Sequence, residues 1–137
     1  MDVHENSFFF DEVNKNIYVS CRNISRVIKI NYPEGRVLRN YGEIYTPAVP
    51  PAENGMFCGP PSCRLTRAGD LYLYNNNICD TASMPKIVVM REPETIEDTL
   101  KKVWEYECTM EIDVPKRFDG GGNVMELPDQ SFFVSMN

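Results

Sequence analysis

Few side chains in this sequence are of types that carry out chemistry. There is one histidine, His4, and there are five cysteines, at positions 21, 58, 63, 79 and 108. A zinc site needs three or four ligands in local clusters, and His4 lies far from every cysteine in sequence, so no metal or other cofactor is expected. Cys58 and Cys63 are the close pair, and their spacing leaves a disulfide and two reduced, buried thiols equally open. The odd number means that at least one cysteine is unpaired or pairs with another chain.

The composition excludes several classes of function. The chain has 137 residues, 42% of them hydrophobic, which suits one globular domain. Its net charge of −6 argues against a nucleic-acid or anionic membrane partner, because a phosphate footprint needs clustered Lys and Arg. No apolar run approaches the roughly 20 residues of a membrane helix, and the first five residues do not resemble a signal peptide. The triple glycine at 120–122 lacks the Lys-Ser/Thr of a phosphate-binding loop and predicts a lead into a strand.

The elements that would position these side chains are β-strands. Short apolar segments alternate with turn residues along the chain, a pattern typical of hairpins. Five hairpins are predicted, joining residues 8–10 to 17–20, 27–30 to 37–41, 64–66 to 71–74, 86–90 to 102–106 and 124–127 to 132–134. The proline-rich stretch 44–59 is predicted to be a loop, and the acidic stretch 92–98 links the fourth pair.

The hairpins repeat along the chain. The turns of the first, third and fifth lie near residues 15, 69 and 129, and those of the second and fourth near 34 and 95. The spacing of about 55 to 60 residues indicates a four-stranded unit, typical of a β-propeller blade. Residues 37–41 also align with residues 102–106 at the ends of their units. A single ten-stranded sandwich or barrel is the alternative.

The predicted fold class is therefore all-β, with about two and a half four-stranded antiparallel blades in one partial propeller domain spanning 1–137. The first blade covers about 5–42, a loop 43–60, the second blade about 61–108, and the start of a third about 120–137. Because two and a half blades do not close a ring, the remaining blades are expected from a longer chain or from other copies of this one.

Several segments, in this order, resemble the C-terminal half of the bacterial arylsulfotransferases, which transfer a sulfuryl group between phenols without a nucleotide donor. The more specific pair is His4-Glu5-Asn6-Ser7, like the family's His-x-Asn-Ser, and Ser20-Cys21-Arg22, like its Ser-x-Arg. The others are residues 25–30, Tyr41-Gly42, Phe57-Cys58-Gly59, residues 69–76, residues 102–106 and residues 121–128. The resemblance covers nearly the whole chain, and the family fold is a propeller.

The resemblance implies a site. His4 corresponds to the histidine of the first motif and Arg22 to the sulfate-binding arginine, so both are expected to be catalytic. Arg22 and Asn6 are expected to bind substrate, an aryl sulfate or a phenol. An arginine fork suits a sulfate ester, and a neutral imidazole can accept the sulfuryl group covalently. Family members are commonly exported, so the resemblance implies a periplasmic or exported protein, although the sequence shows no signal peptide.

The chain departs from the family at the nucleophile. Pro61 stands where the family has the histidine that accepts the sulfuryl group, and proline has no nucleophilic atom. The family's second Ser-Arg is replaced by residues 83–86, where Lys86 could bind the substrate as a point charge but not as a fork. Cys58 or Cys63 could take over as the nucleophile only with a lowered thiol pKa, and nothing around them in the sequence indicates one. We therefore expect a degenerate or incomplete sulfotransferase or, alternatively, a non-catalytic propeller that binds a small anion or a protein partner. A third hypothesis is a structural module that docks a neighbour through residues 44–59.

The same residues also have purely structural interpretations. His4 would be a solvated side chain or a hydrogen-bonding group where the first strand starts. Arg22 would form a surface ion pair with Asp11 or Glu12. The alternating aromatic pairs at 72 and 74 and at 104 and 106 would pack between sheets.

Overall fold

A computed structural model describes residues 3–43, 56–80, 84–109 and 121–136 of the chain. Every regular element in these ranges is a β-strand, and they contain no helix. The strands are β1 (Glu5–Asp11), β2 (Asn16–Cys21), β3 (Arg26–Asn31), β4 (Val37–Tyr41), β5 (Ser62–Leu65), β6 (Leu71–Asn75), β7 (Lys86–Arg91), β8 (Lys101–Glu107), β9 (Gly122–Glu126) and β10 (Phe132–Met136).

The ten strands form three antiparallel sheets in chain order. Sheet one contains β1 to β4, sheet two contains β5 to β8, and sheet three contains β9 and β10. The first hairpin of each sheet turns at a residue with positive φ: Lys15 at 54°, Gly69 at 89° and Gln130 at 68°. Such residues give a hairpin turn the twist that matches its strands. The prediction of an all-β chain built from five hairpins is confirmed, and since the strands divide into three sheets, no single ten-stranded sheet forms in the described part of the chain.

The sheets stack face to face, with sheet two in the middle. Leu71 and Leu73 of β6 point to sheet one, and Tyr72 and Tyr74 point to sheet three, because side chains alternate along a strand. The core between sheets one and two consists of Tyr18, Val27, Tyr41, Phe57, Cys63, Leu71, Leu73, Val88, Met90 and Leu100. The core between sheets two and three consists of Tyr72, Tyr74, Ile87, Val89, Cys108 and Val124.

The outer sheets each leave one face uncovered by the described residues. On sheet one, Phe8 pairs with Val19, and Val19 pairs with Ile28, so this face is a continuous apolar surface. Phe8 is 77% exposed on it. On sheet three, Met125 and Phe133 pair with each other and are 45% and 59% exposed. The described residues thus form a stack of three sheets, and the outer face of sheet one and of sheet three each expose apolar side chains.

A disulfide joins the segment before β5 to the segment after β6, and of the two alternatives left open for Cys58 and Cys63, a disulfide between them does not form. Cys58 is bonded to Cys79, with their Cα atoms 5.9 Å apart, and Cys63 is a buried free thiol. Cys63 lies on β5 with its side chain in the core between sheets one and two, whereas Cys79 follows β6 and returns to Cys58. Asn75 accepts a hydrogen bond from the Cys58 amide at 2.8 Å, which holds the same segment.

One structural interpretation also proves wrong. Arg22 follows β2, while Asp11 lies beside the start of that six-residue strand, so Arg22 forms no ion pair with Asp11 or with its neighbour Glu12. Asp11 instead accepts hydrogen bonds from the amides of Val13 and Asn14 in the turn.

Trp104 and Tyr106 are not covered in the way that Tyr72 and Tyr74 are. They are 43% and 53% exposed, because sheet three has only two strands among the described residues and these lie over the inner part of sheet two. The predicted loop at 44–59 lies outside the described residues except for its last four. In the described ranges, no helix is long and apolar enough to cross a membrane.

Candidate functional site

The first strands of the three sheets lie side by side, and a pocket of about 200 Å³ lies where they begin. β5 is in the middle, with β1 on one side and β9 on the other. The pocket is lined by Asn6, Ser7, Phe8, Pro61, Ser62, Cys63, Arg64, Gly122 and Asn123. All three sheets therefore contribute side chains to one cavity.

Two local features of the sequence shape this pocket. A β-bulge between Glu5 and Ser7 leaves Asn6 without a partner on β2, and bulges of this kind redirect a side chain out of the regular alternation. Gly122 allows β9 to lie directly against the ring of Tyr74. A Cβ at position 122 would lie 2.6 Å from Cζ of that ring and 2.9 Å from the carbonyl oxygen of Ser135.

The polar groups of the pocket favour an anion. Arg64 is exposed and is the only charged residue among the lining residues, in a chain whose net charge is −6. The Ser62 hydroxyl is buried and has no hydrogen-bond partner within the described residues. An unpaired buried hydroxyl costs about 1–3 kcal/mol, a cost that a bound acceptor would remove. Asn6 and Asn123 add two side-chain amides that can donate hydrogen bonds.

Neither Cys63 nor Cys58 is suited to act as a nucleophile. Burial raises the pKa of the Cys63 thiol to about 12, so it is protonated at neutral pH. Because the thiolate is the reactive form, Cys63 is a poor nucleophile even though it lines the pocket. Cys58 is held in the disulfide with Cys79. No histidine lines the pocket.

The structure brings some of the sequence-predicted residues together. His4 and Arg22 are adjacent at the end of sheet one where β1 begins, and the amide of Arg22 donates to the carbonyl of His4 at 3.0 Å. Asn6 lines the pocket, as does Pro61, the position to which only the resemblance assigns the family's nucleophile. Neither His4 nor Arg22 is among the lining residues.

Lys86 lies elsewhere in sheet two. β7 is separated from β5 by β6, which places the start of β7 roughly 10 Å from the first strand. The ammonium group lies 3.7 Å from a Glu105 carboxylate oxygen and 4.0 Å from one of Glu107. Its charge is thus directed to β8.

Sequence reasoning missed Arg64, Ser62 and Asn123. Ser62 and Arg64 are two residues apart on β5, which places them on the same face of the strand. The two-residue spacing is visible in the sequence. It indicates a site only when β1 and β9 are known to lie on either side of β5.

A larger pocket of about 460 Å³ lies between the end of β4 and the segment that precedes β8. Its arginine, Arg39, already donates to the carbonyls of Thr95 at 2.7 Å and Ile96 at 3.2 Å. Its lining also includes the acidic residues Glu43 and Asp98. The polar groups here stabilise the connection between sheets one and two, so this pocket is the weaker candidate.

Comparisons with protein families, with curated proteins and with solved structures find no match for this chain. The resemblance to arylsulfotransferases therefore stays a prediction that rests on the quoted residues. In the described ranges, no group of three or more His, Cys, Asp or Glu side chains is placed to hold a metal ion.

Proposed function

We propose that this chain is a non-catalytic binding module that holds a small oxyanion of the sulfate-ester class in the pocket between β1, β5 and β9. The observation that carries the proposal is that Ser62, whose buried hydroxyl has no partner in the described residues, lines the same pocket as Arg64. A hydroxyl donor beside an arginine fork matches the acceptor oxygens and the single negative charge of a sulfate ester.

The arrangement of the sheets supports a propeller as the scaffold of this module. The sheets stack face to face in chain order, and their first strands are neighbours, as the innermost strands of consecutive blades are. On this proposal sheets one and two are complete blades and sheet three is the start of another. The remaining blades come from a longer polypeptide or from other copies of the chain.

Pro61 and Cys63 support binding without transfer. Pro61 offers no nucleophile, and the raised pKa of Cys63 keeps its thiol protonated. Sulfuryl transfer from an aryl sulfate to a phenol is the second candidate function. It is favoured by one observation, which is that Asn6 and Pro61, two positions assigned to the family's site by the resemblance, line the same pocket.

Calorimetric titration with 4-nitrophenyl sulfate tests the proposal. A hydrogen bond to a charged group contributes about 1.5–3 kcal/mol, so Arg64→Ala should weaken binding by about 10- to 150-fold. Ser62→Ala removes a neutral donor to a charged acceptor and should weaken binding by about 10-fold. The control is Arg36→Ala, which removes the same charge from the turn at the opposite end of sheet one. Equal binding by wild type and Arg64→Ala would overturn the pocket assignment.

Two further measurements separate the candidate functions. If His4→Ala or Arg22→Ala weakens binding as much as Arg64→Ala does, the site extends to the residues that the resemblance implies. Unchanged binding in both would exclude them from the site. Release of 4-nitrophenolate in the presence of a phenol acceptor would contradict binding without transfer and establish the sulfotransferase.

A further inference from the structure

Asn123, near the start of β9, holds its side-chain amide in one orientation. The backbone amide of Val124 donates to the carboxamide oxygen Oδ1 at 2.9 Å. Because a backbone N–H can only donate, the side-chain atom that faces it is the oxygen. The nitrogen Nδ2 therefore lies on the other side of the carboxamide, where its two N–H groups can donate to a ligand.

This carboxamide lies at the edge of β9 that faces away from β10. The Glu126 amide marks that edge, because it donates to the Tyr72 hydroxyl of sheet two at 3.1 Å. Alternation along an antiparallel ladder places the Val124 amide, two residues earlier, on the same edge. Since Asn123 binds the Val124 amide, its side chain bends over the edge of β9 that borders the oxyanion pocket.

The side-chain donors of β5 point to the sheet that contains Asn123. Ser62 and Arg64 pair with Tyr74 and Tyr72, whose rings lie in the core between sheets two and three. Residues that pair across an antiparallel ladder share a face of the sheet, so both side chains leave β5 on the side of sheet three. Donors from two neighbouring sheets therefore line one pocket.

Hydrogen bonds already join sheets two and three near the turn of β9. The Arg67 amide donates to a Glu126 carboxylate oxygen at 2.8 Å, and the Arg67 guanidinium donates to the Pro128 carbonyl at 2.9 Å. At the pocket end of β9, Gly122 packs against the ring of Tyr74. A ligand that accepts hydrogen bonds from both sheets would add a polar link at this end.

We propose that the bound oxyanion bridges sheets two and three, and that Asn123 is the residue of β9 that recognises it. The Asn123 Nδ2 donates to one oxygen of the anion, while Ser62 and Arg64 donate to its other oxygens from β5. Binding is thereby coupled to the position of β9, because the anion binds more tightly when β9 lies against β5 and in turn holds β9 there. This inference rests on the proposed oxyanion pocket and extends it.

Asn123→Asp tests the donor. The carboxylate keeps the shape of the side chain and still accepts from the Val124 amide, but it replaces the NH2 donor by a negatively charged oxygen. Calorimetric titration with 4-nitrophenyl sulfate should show binding weaker by more than about tenfold. The control is Asn40→Asp, which adds the same charge at an exposed position of β4, the edge of sheet one opposite β1, and should bind as wild type does.

Asn123→Ala removes the donor without adding a charge. A hydrogen bond to a charged group is lost, so binding should weaken by about tenfold or more, though less than in Asn123→Asp. Circular dichroism of both variants shows whether they are folded.

Deuterium exchange measures the coupling itself. By linkage, the factor by which the docked β9 strengthens binding equals the factor by which the bound anion disfavours the opening of β9. Saturating 4-nitrophenyl sulfate should therefore slow the exchange of the β9 and β10 amides in wild type by about tenfold or more. The effect should disappear in saturated Asn123→Ala, whereas a purely structural role of Asn123 predicts no dependence on the ligand.

Three results would overturn this inference and leave the oxyanion pocket in place. The first is equal affinity of wild type and Asn123→Ala when Arg64→Ala binds more weakly. The second is unchanged exchange of the β9 amides in saturated wild type. The third is tighter binding by Asn123→Asp than by Asn123→Ala, since the side chain would then act through its oxygen. Lack of saturable binding by wild type up to about 10 mM 4-nitrophenyl sulfate would overturn both the pocket and the bridge.

Discussion

Gly42 lies where sheet one meets the segment that leads into sheet two, and its replacement by alanine tests how closely the two are packed. It follows β4 with a φ of 89°, and its carbonyl accepts a hydrogen bond from the Arg26 guanidinium. A Cβ at this position would meet the Ser25 carbonyl oxygen, and it would lie 2.7 Å from two atoms of the Phe57 ring. Cβ atoms in folded proteins essentially never approach other heavy atoms so closely.

Two effects add at this position. An L residue at positive φ costs about 1–2 kcal/mol, and forcing an extra carbon into a packed core costs about 1–3 kcal/mol. Phe57 is 3% exposed in the core between sheets one and two, so its ring has little room to move. Gly42→Ala should therefore lower the free energy of unfolding by about 2–5 kcal/mol.

Gly69→Ala is the matched control, because Gly69 has the same φ of 89° and a Cβ there would meet nothing within 4 Å. It should lose only the conformational part, about 1–2 kcal/mol. Urea unfolding followed by circular dichroism gives both values, provided that the slopes agree. Equal losses in the two variants would refute the close packing of Gly42 against Phe57.

The remaining predictions concern the disulfide and two buried tyrosines. The double variant Cys58→Ser and Cys79→Ser should unfold with a free energy lower by about 3 kcal/mol, since the bridge spans 21 residues. The wild-type protein in reductant should show the same loss of unfolding free energy. An unchanged urea midpoint in both samples would contradict a stabilising role of the disulfide. Burial raises the pKa of Tyr18 and of Tyr41. Their contribution to stability is therefore complete below pH about 10 and is lost as the pH rises through the higher folded values. Absorbance titration should show ionisation delayed in wild type relative to the urea-unfolded chain, and coincident curves would contradict burial.

The hairpins were predictable because their signals are local. The turn at Ala68-Gly69-Asp70 stands between two apolar strands, and β5 and β6 flank it in the structure. That Leu71 and Tyr72 face opposite sides of the sheet could likewise be expected, because successive side chains alternate along a strand.

The contacts between sheets were not predictable, because they join residues far apart in sequence. Nothing near Cys58 indicates that Cys79 will be its partner, since that depends on the path of the chain after β6. The exposure of Trp104 depends on how many strands sheet three has. Arg64 lines a pocket only because β1 and β9 flank β5. The strand pattern depends on neighbouring residues in the sequence, whereas the candidate site depends on how the three sheets pack together.

The central position of β6 has a consequence for how the molecule opens. All five of its residues are buried, and it has a hydrogen-bonded neighbour on each side and a core on each face. Its amide hydrogens can reach water only when both cores separate, so they should be the slowest in the described part of the chain to exchange with deuterium. Amides on the outer sheets need only one core to open. Local opening of the structure therefore begins at sheets one and three. β6, which pairs with β5 of the candidate pocket, is the last strand to open.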